Sequence, residues 1–147
     1  MFRTMSNRVS LVGVLLVAVA SSMCLAVLTV RVNINPHKIV LNAEGKADDV
    51  QANIPIYLTS GWEQGFTAEL YFNDTIVAEA ESARYCYIDD MLIIGFDRTE
   101  LQNNPYVKAI ANSTVTATVT ATLTNPDGEL ITIEGSDIVE IVKPGKK

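Results

Sequence analysis

One histidine and two cysteines leave this 147-residue chain little material for metal or nucleophile chemistry. His37 sits between Pro36 and Lys38, in a stretch that reads as a turn, so it reads as a surface residue before it reads as a base. A serine–histidine–aspartate set would need partners delivered to His37 from other elements, and no motif announces them. Zinc favours about four nitrogen or sulfur ligands, and His37 with Cys86 falls short of that number. Cys86 reads as a small buried hydrophobe. Asp89 and Asp90, with Asp97, offer hard oxygens of the kind calcium takes, but their spacing is not that of a calcium loop and a solvated acidic turn fits them better. No metal and no other cofactor is therefore expected. Asp97 and Arg98 read as a structural bridge or a helix cap. Trp62, Tyr57 and Tyr71 could stack on sugar rings, with Trp62 the carbohydrate-stacking candidate, although a lone tryptophan among apolar strands is more often core. Asn73-Asp74-Thr75 and Asn112-Ser113-Thr114 match the N-glycosylation acceptor triplet, which makes glycan shielding a working hypothesis. With no acid, base and nucleophile arrangement, the chain is expected not to be an enzyme.

The segment that must place these groups is residues 11–30, an uncharged run from Leu11 to Val30 between Arg8 and Arg31. As a helix, about twenty residues span roughly 30 Å, the thickness of a bilayer's hydrocarbon core. Arg3 and Arg8 precede it and all 17 acidic residues follow it, so an uncleaved anchor would hold its carboxyl side outside the cell membrane. A cleaved signal peptide is the second reading, with Leu11 to Val19 as its apolar core and a cut at Met23 after Ala20 and Ser22. Lipidation at Cys24 is discounted, because Ser21, Ser22 and Met23 give it poor small-residue context. Either main reading makes residues 31–147 extracytoplasmic, at the cell surface or secreted.

After Val30 the chain carries nine Lys plus Arg against seventeen Asp plus Glu, a formal charge of −8. That balance repels nucleic acid. The same 117 residues suffice for one core and not for two ordinary domains. Cys86 is the lone cysteine beyond the apolar run, so no disulfide can form within that region.

Period-two alternation runs through the region. It predicts strands over 31–35, 38–42, 49–58, 67–72, 76–80 and 82–90, while 91–96, apolar on both faces, reads as a central strand. In the fullest case Val115, Ala117, Val119, Ala121 and Leu123 alternate without exception with the threonines of 114–124. Asn125-Pro126-Asp127-Gly128 then reverses the chain, and strands over 130–134 and 138–142 follow, split at Gly135-Ser136. Asp97 is placed to cap one helical turn over 98–103, ended by Pro105. Eight or nine short strands predict an all-β, antiparallel two-sheet sandwich behind one amino-terminal hydrophobic helix.

Two resemblances add to this. Arg8-Val9-Ser10-Leu11-Val12-Gly13-Val14 and the aliphatic residues after them resemble the amino-terminal segment of archaeal type IV pilins, with Leu11 where those often carry proline. That resemblance implies a filament subunit polymerising through its amino-terminal helix. The blocks Val32-x-Ile34-x-Pro36, Met91 to Arg98, Asp127-Gly128 and Glu134-Gly135-Ser136-Asp137-x-Val139 resemble a small immunoglobulin-like domain of exported archaeal and bacterial surface proteins, often beside dockerins. It implies a structural, adhesive or assembly role; the partners expected are other surface proteins or copies of the chain, glycans and, from the apolar run, membrane lipid along residues 11–30. A carbohydrate-binding module remains the further alternative.

Overall fold

The computed structural model describes residues 27–41 and 49–143. Leu11, the proposed cut at Met23, Cys24, the turn at 43–46 and the tail beyond Lys143 lie outside them. In chain order the elements are β1 (Val27–Thr29), β2 (Asn33–Asn35), β3 (Lys38–Val40), β4 (Val50–Pro55), β5 (Thr67–Phe72), β6 (Thr75–Cys86), β7 (Met91–Phe96), α1 (Arg98–Asn103), α2 (Pro105–Ala109), β8 (Ser113–Thr124) and β9 (Leu130–Val142). Alternation in the sequence becomes alternation in burial. Val115, Ala117, Val119, Ala121 and Leu123 of β8 all face the core, as do Ala68, Leu70 and Phe72 of β5 and Val50, Ala52 and Ile54 of β4.

The strands form one curled, mixed sheet in the order β1-β9-β8-β5-β6-β7-β4-β2, with β3 also beside β9. Curling happens on β6. Its first half pairs with β5 and its second half with β7, and the register with β7 shifts between Ala80 and Ser82. A bulge there bends the strand from one set of neighbours to the other. The inner sides of both halves contribute to a single core.

Several sequence expectations need correction. The sheet is not purely antiparallel, because β1 and β3 both run parallel to β9. Alternation encodes which face a residue takes and carries no information on direction. The strands expected over 76–80 and 82–90 are one twelve-residue strand, and those over 130–134 and 138–142 are one of thirteen. Gly135 does not break β9; it makes room. A Cβ there would stand 2.3 Å from the Val30 carbonyl oxygen and 2.5 Å from Val32 Cγ2, so the first segment crosses β9 where no side chain could fit. The turn expected over 98–103 is α1, and it stops before Pro105 as expected, because the residue preceding a proline is pushed out of helical backbone and Asn104 is extended at φ −74° and ψ 123°. Pro105 does more than end α1. It opens α2 at a position that needs no N–H, with Asn104 accepting from the amides of Tyr106 and Val107 at 2.8 and 3.2 Å. Val27–Thr29, the last part of the apolar run, is strand and not helix, and the Val30 amide donates to Glu134 at 2.9 Å. Among the described residues no helix is long and apolar enough to cross a membrane.

The molecule has two distinct ends. At the hairpin end lie the Asn125–Gly128 reversal, the start of β9, and β1, whose Val27 pairs with Thr132. The loop after β4 joins them there, since the Thr124 amide donates to the Trp62 carbonyl at 3.1 Å. At the helix end lie α1, α2, the β5–β6 turn and the start of β8: Asn73 donates through its backbone to Thr116, and Asn112 to Ile141.

Candidate functional site

Three groups of polar or aromatic side chains converge. The first is acidic. Asp49 precedes β4, Glu81 sits on the β6 bulge and Asp97 caps α1, and one carboxylate oxygen from each lies within 4.8 Å of the others. Asp97 earns its place as a cap, accepting from the Thr99 amide at 2.9 Å. The Asp49 carboxylate holds the Glu81 carboxyl above its ordinary range, with desolvation, Asp97 and Glu100 acting in the same direction. The calcium candidates thus divide. Asp89 and Asp90 lie at the opposite end of β7 from Asp97, and six extended residues separate those ends by about 20 Å. Asp89 instead faces the Cys86 thiol at 3.6 Å, and Asp90 the Tyr85 hydroxyl at 3.2 Å. Glu81 and Asp49 carried no motif, and strand register assembles them with Asp97, since Val50 of β4 and Ala80 of β6 both lie opposite Phe96 of β7. Arg98 is buried beside Asp49 and Gln51 in a surface recess, and its Nε has no hydrogen-bond partner among the described residues. It forms no ion pair with Asp97.

The second group is aromatic. Trp62 is only 4% exposed, its ring edge-on to Phe66 at 5.6 Å and tilted against Tyr85 at 6.4 Å. Trp62, the carbohydrate-stacking candidate, is thus placed in the core, with little of its surface open to solvent. Tyr71 is occupied too, donating to Glu69 at 3.0 Å. Tyr85 ties the β4 end to β6: its hydroxyl donates to the Ile56 carbonyl at 2.7 Å and accepts from the Leu58 amide at 2.9 Å. Burial raises the Tyr85 phenol above its usual value, and the Asp90 carboxylate adds to that. Tyr87 packs edge-on against Tyr85 at 4.7 Å, while Tyr57 and Tyr87 are more than half exposed.

The third group is a histidine–carboxylate pair. His37 Nε2 lies 2.9 Å from Asp137 Oδ2, which also accepts from the Ile34 amide at 2.8 Å, while Oδ1 accepts from Ile138 at 2.8 Å. Burial pushes the Asp137 carboxyl up, but the two amides and His37 outweigh it, and the net shift is downward. Ile34 belongs to β2, the last strand of the sheet, and Asp137 to β9 near its other margin, so this carboxylate stitches the seam of the curl. Ser136 is turned away toward Thr118 at 2.8 Å, and no described hydroxyl bonds to His37.

Both glycosylation candidates are exposed and sit in left-handed backbone at the helix end, Asn73 with φ 56° and Asn112 with φ 66°. Asn73 donates to the Tyr106 hydroxyl at 3.1 Å, whereas the recorded contact of the Asn112 side chain is its oxygen, which accepts from the Lys143 amide at 3.1 Å.

No family model and no curated protein matches the chain. Among solved structures it is similar to CopC from Methylosinus trichosporium OB3b, at 10% identity over 80% of this chain and 98% of that one, with a TM-score of 0.36. It is also similar to BcpA, the major pilin subunit of Bacillus cereus, at 11% identity over 78% of this chain and 39% of that one, with a TM-score of 0.25. Likeness this slight fixes neither fold family nor function, and it adds nothing to the immunoglobulin-like or dockerin-associated resemblance.

Proposed function

We propose that the chain is a non-catalytic, extracytoplasmic surface domain with a structural, adhesive or assembly role, held to the membrane by the uncharged run that begins at Leu11. In this reading the curled sheet closes into an immunoglobulin-like two-layer sandwich, supported by the single core shared by its two halves. The observation that carries the role is the junction. The apolar run passes without a linker into β1, which is hydrogen-bonded to β9, so a span-length uncharged segment is mounted directly on a self-contained β domain. Glycans at Asn73 and Asn112 would shield its helix end, and a loss of mass on enzymatic deglycosylation tests that.

A filament subunit of the pilin type is the second reading, favoured by the same junction. With no slack between the run and β1, copies of the run packed together would hold their domains in one fixed pose. Sequencing the mature amino terminus separates the possibilities. An intact Met1 in the membrane fraction supports the anchor, a start at Val9 supports the filament subunit, and a start near Met23 supports secretion. Recovery of the full-length chain as a soluble cytosolic protein refutes all three.

A further inference from the structure

Among the described residues eight large hydrophobic side chains stand exposed, and six of them, Val27, Leu28, Tyr57, Tyr87, Ile88 and Leu130, gather at the hairpin end. Val27 and Leu28 lie opposite Thr132 and Ile133 at the start of β9, and Leu130 opens that strand. Tyr57 follows the end of β4, and Tyr87 with Ile88 forms the β6–β7 turn, linked to Trp62 through Tyr85. Ile88 is 92% exposed, an orientation that gains nothing from the protein's own core. A one-ended apolar cap of this kind marks a contact surface.

Where the apolar run meets the domain says what covers it. The strand begins at Val27, so the uncharged stretch available to cross a bilayer is residues 9–26. A helix of that length would reach about 27 Å against a hydrocarbon core of about 30 Å. No spare residues then separate the domain from the lipid, and the shortfall draws the hairpin end into the interfacial layer. Tyrosines are the side chains that favour that layer, with the ring toward the acyl chains and the hydroxyl toward water. Exposed Asp89, Asp90, Asp127 and Glu129 at the same end disfavour an anionic surface and suit a zwitterionic one.

We propose that the hairpin end is a lipid-docking face, in which Tyr57, Tyr87, Ile88, Leu28 and Leu130 seat in a zwitterionic headgroup layer around the point where the anchor emerges. It rests on the anchored reading of the amino-terminal run. The full chain, with Cys24 and Cys86 replaced by serine, is incorporated in phosphatidylcholine nanodiscs and carries a thiol-linked fluorophore at Ile88→Cys or, at the helix end, Lys108→Cys. Both positions are exposed, so neither variant disturbs the core. The Ile88 probe loses fluorescence to spin-labelled phosphatidylcholine and is protected from acrylamide, while the Lys108 probe shows the reverse. Equal acrylamide access at both positions in disc-bound chain overturns the docking face alone. Protection at Ile88 without lipid quenching, accompanied by disulfide cross-linking of unlabelled Ile88→Cys chains, overturns it in favour of a second copy. A chain that does not co-migrate with the discs overturns the anchored reading and the docking face with it.

Discussion

Replacing Asp137 by alanine removes the only side-chain acceptor shown for the Ile34 amide, and the structure lets the cost be divided among its parts. Ile34 is fully buried, so its N–H would be left unpaired away from water, at about 2–3 kcal/mol. Ile138 is 55% exposed, and its amide can turn to solvent with little loss. His37 is 58% exposed on its side chain, so its pairing with Asp137 adds about 0–1 kcal/mol. The expected loss is therefore about 2–4 kcal/mol, or a fall of about 10 °C in Tm for a domain of this size. Asp137→Asn keeps an oxygen for Ile34 without the charge and should lose about 1 kcal/mol. Urea unfolding followed through Trp62, the chain's single tryptophan, measures both. The dependence on pH has a defined sign. Because the Asp137 carboxyl is lowered in the folded state, the charge-dependent part of its stabilisation is complete above the ordinary carboxyl value of about 3.9 and disappears as pH falls through the lowered one. Wild type should therefore approach Asp137→Asn in acid and stay more stable than the alanine variant, because a protonated carboxyl still offers Ile34 an oxygen. An alanine variant within about 0.5 kcal/mol of wild type at pH 7 would show that the seam is held by packing and that the carboxylate is incidental.

Three other perturbations follow from the same structure. Gly135→Ala drives a methyl into the Val30 backbone and should cost about 1–3 kcal/mol, with faster amide exchange at Val30, because the crossing segment must lift from β9; unchanged exchange would contradict the close approach. Glu81→Gln should raise Tm at pH 7, because the raised carboxyl of Glu81 is penalised when ionised; the gain should vanish below the ordinary glutamate range and shrink in high salt. A variant no more stable at pH 7 would show that the acidic group repels too weakly to matter. Asn104→Ala strips the cap of α2 and should cost about 1 kcal/mol, read in the same unfolding assay; no change would mean that Pro105 alone fixes the turn.

Sequence and tertiary structure contributed different things, and the division follows from what side-chain order encodes. Period-two alternation was enough to place β5 and β8 within a residue of their observed limits, and to name Ile34, Leu70, Phe72 and Val119 as core, because burial on a strand depends on parity alone; β7 was legible as an unbroken apolar run. Asp97 could be read as a cap because that geometry is local. Direction and adjacency are not local. That β1 and β3 run parallel to β9 and that Gly135 admits a crossing backbone depend on partners more than a hundred positions away, and the bend of β6 near Glu81 depends on its being shared between β5 and β7. The meeting of Asp49 and Glu81 with Asp97, the clasp between Asp137 and Ile34, and the gathering of exposed apolar side chains at one end arise for the same reason. Alternation says which way a side chain points, and only the closed path of the sheet decides what it meets there.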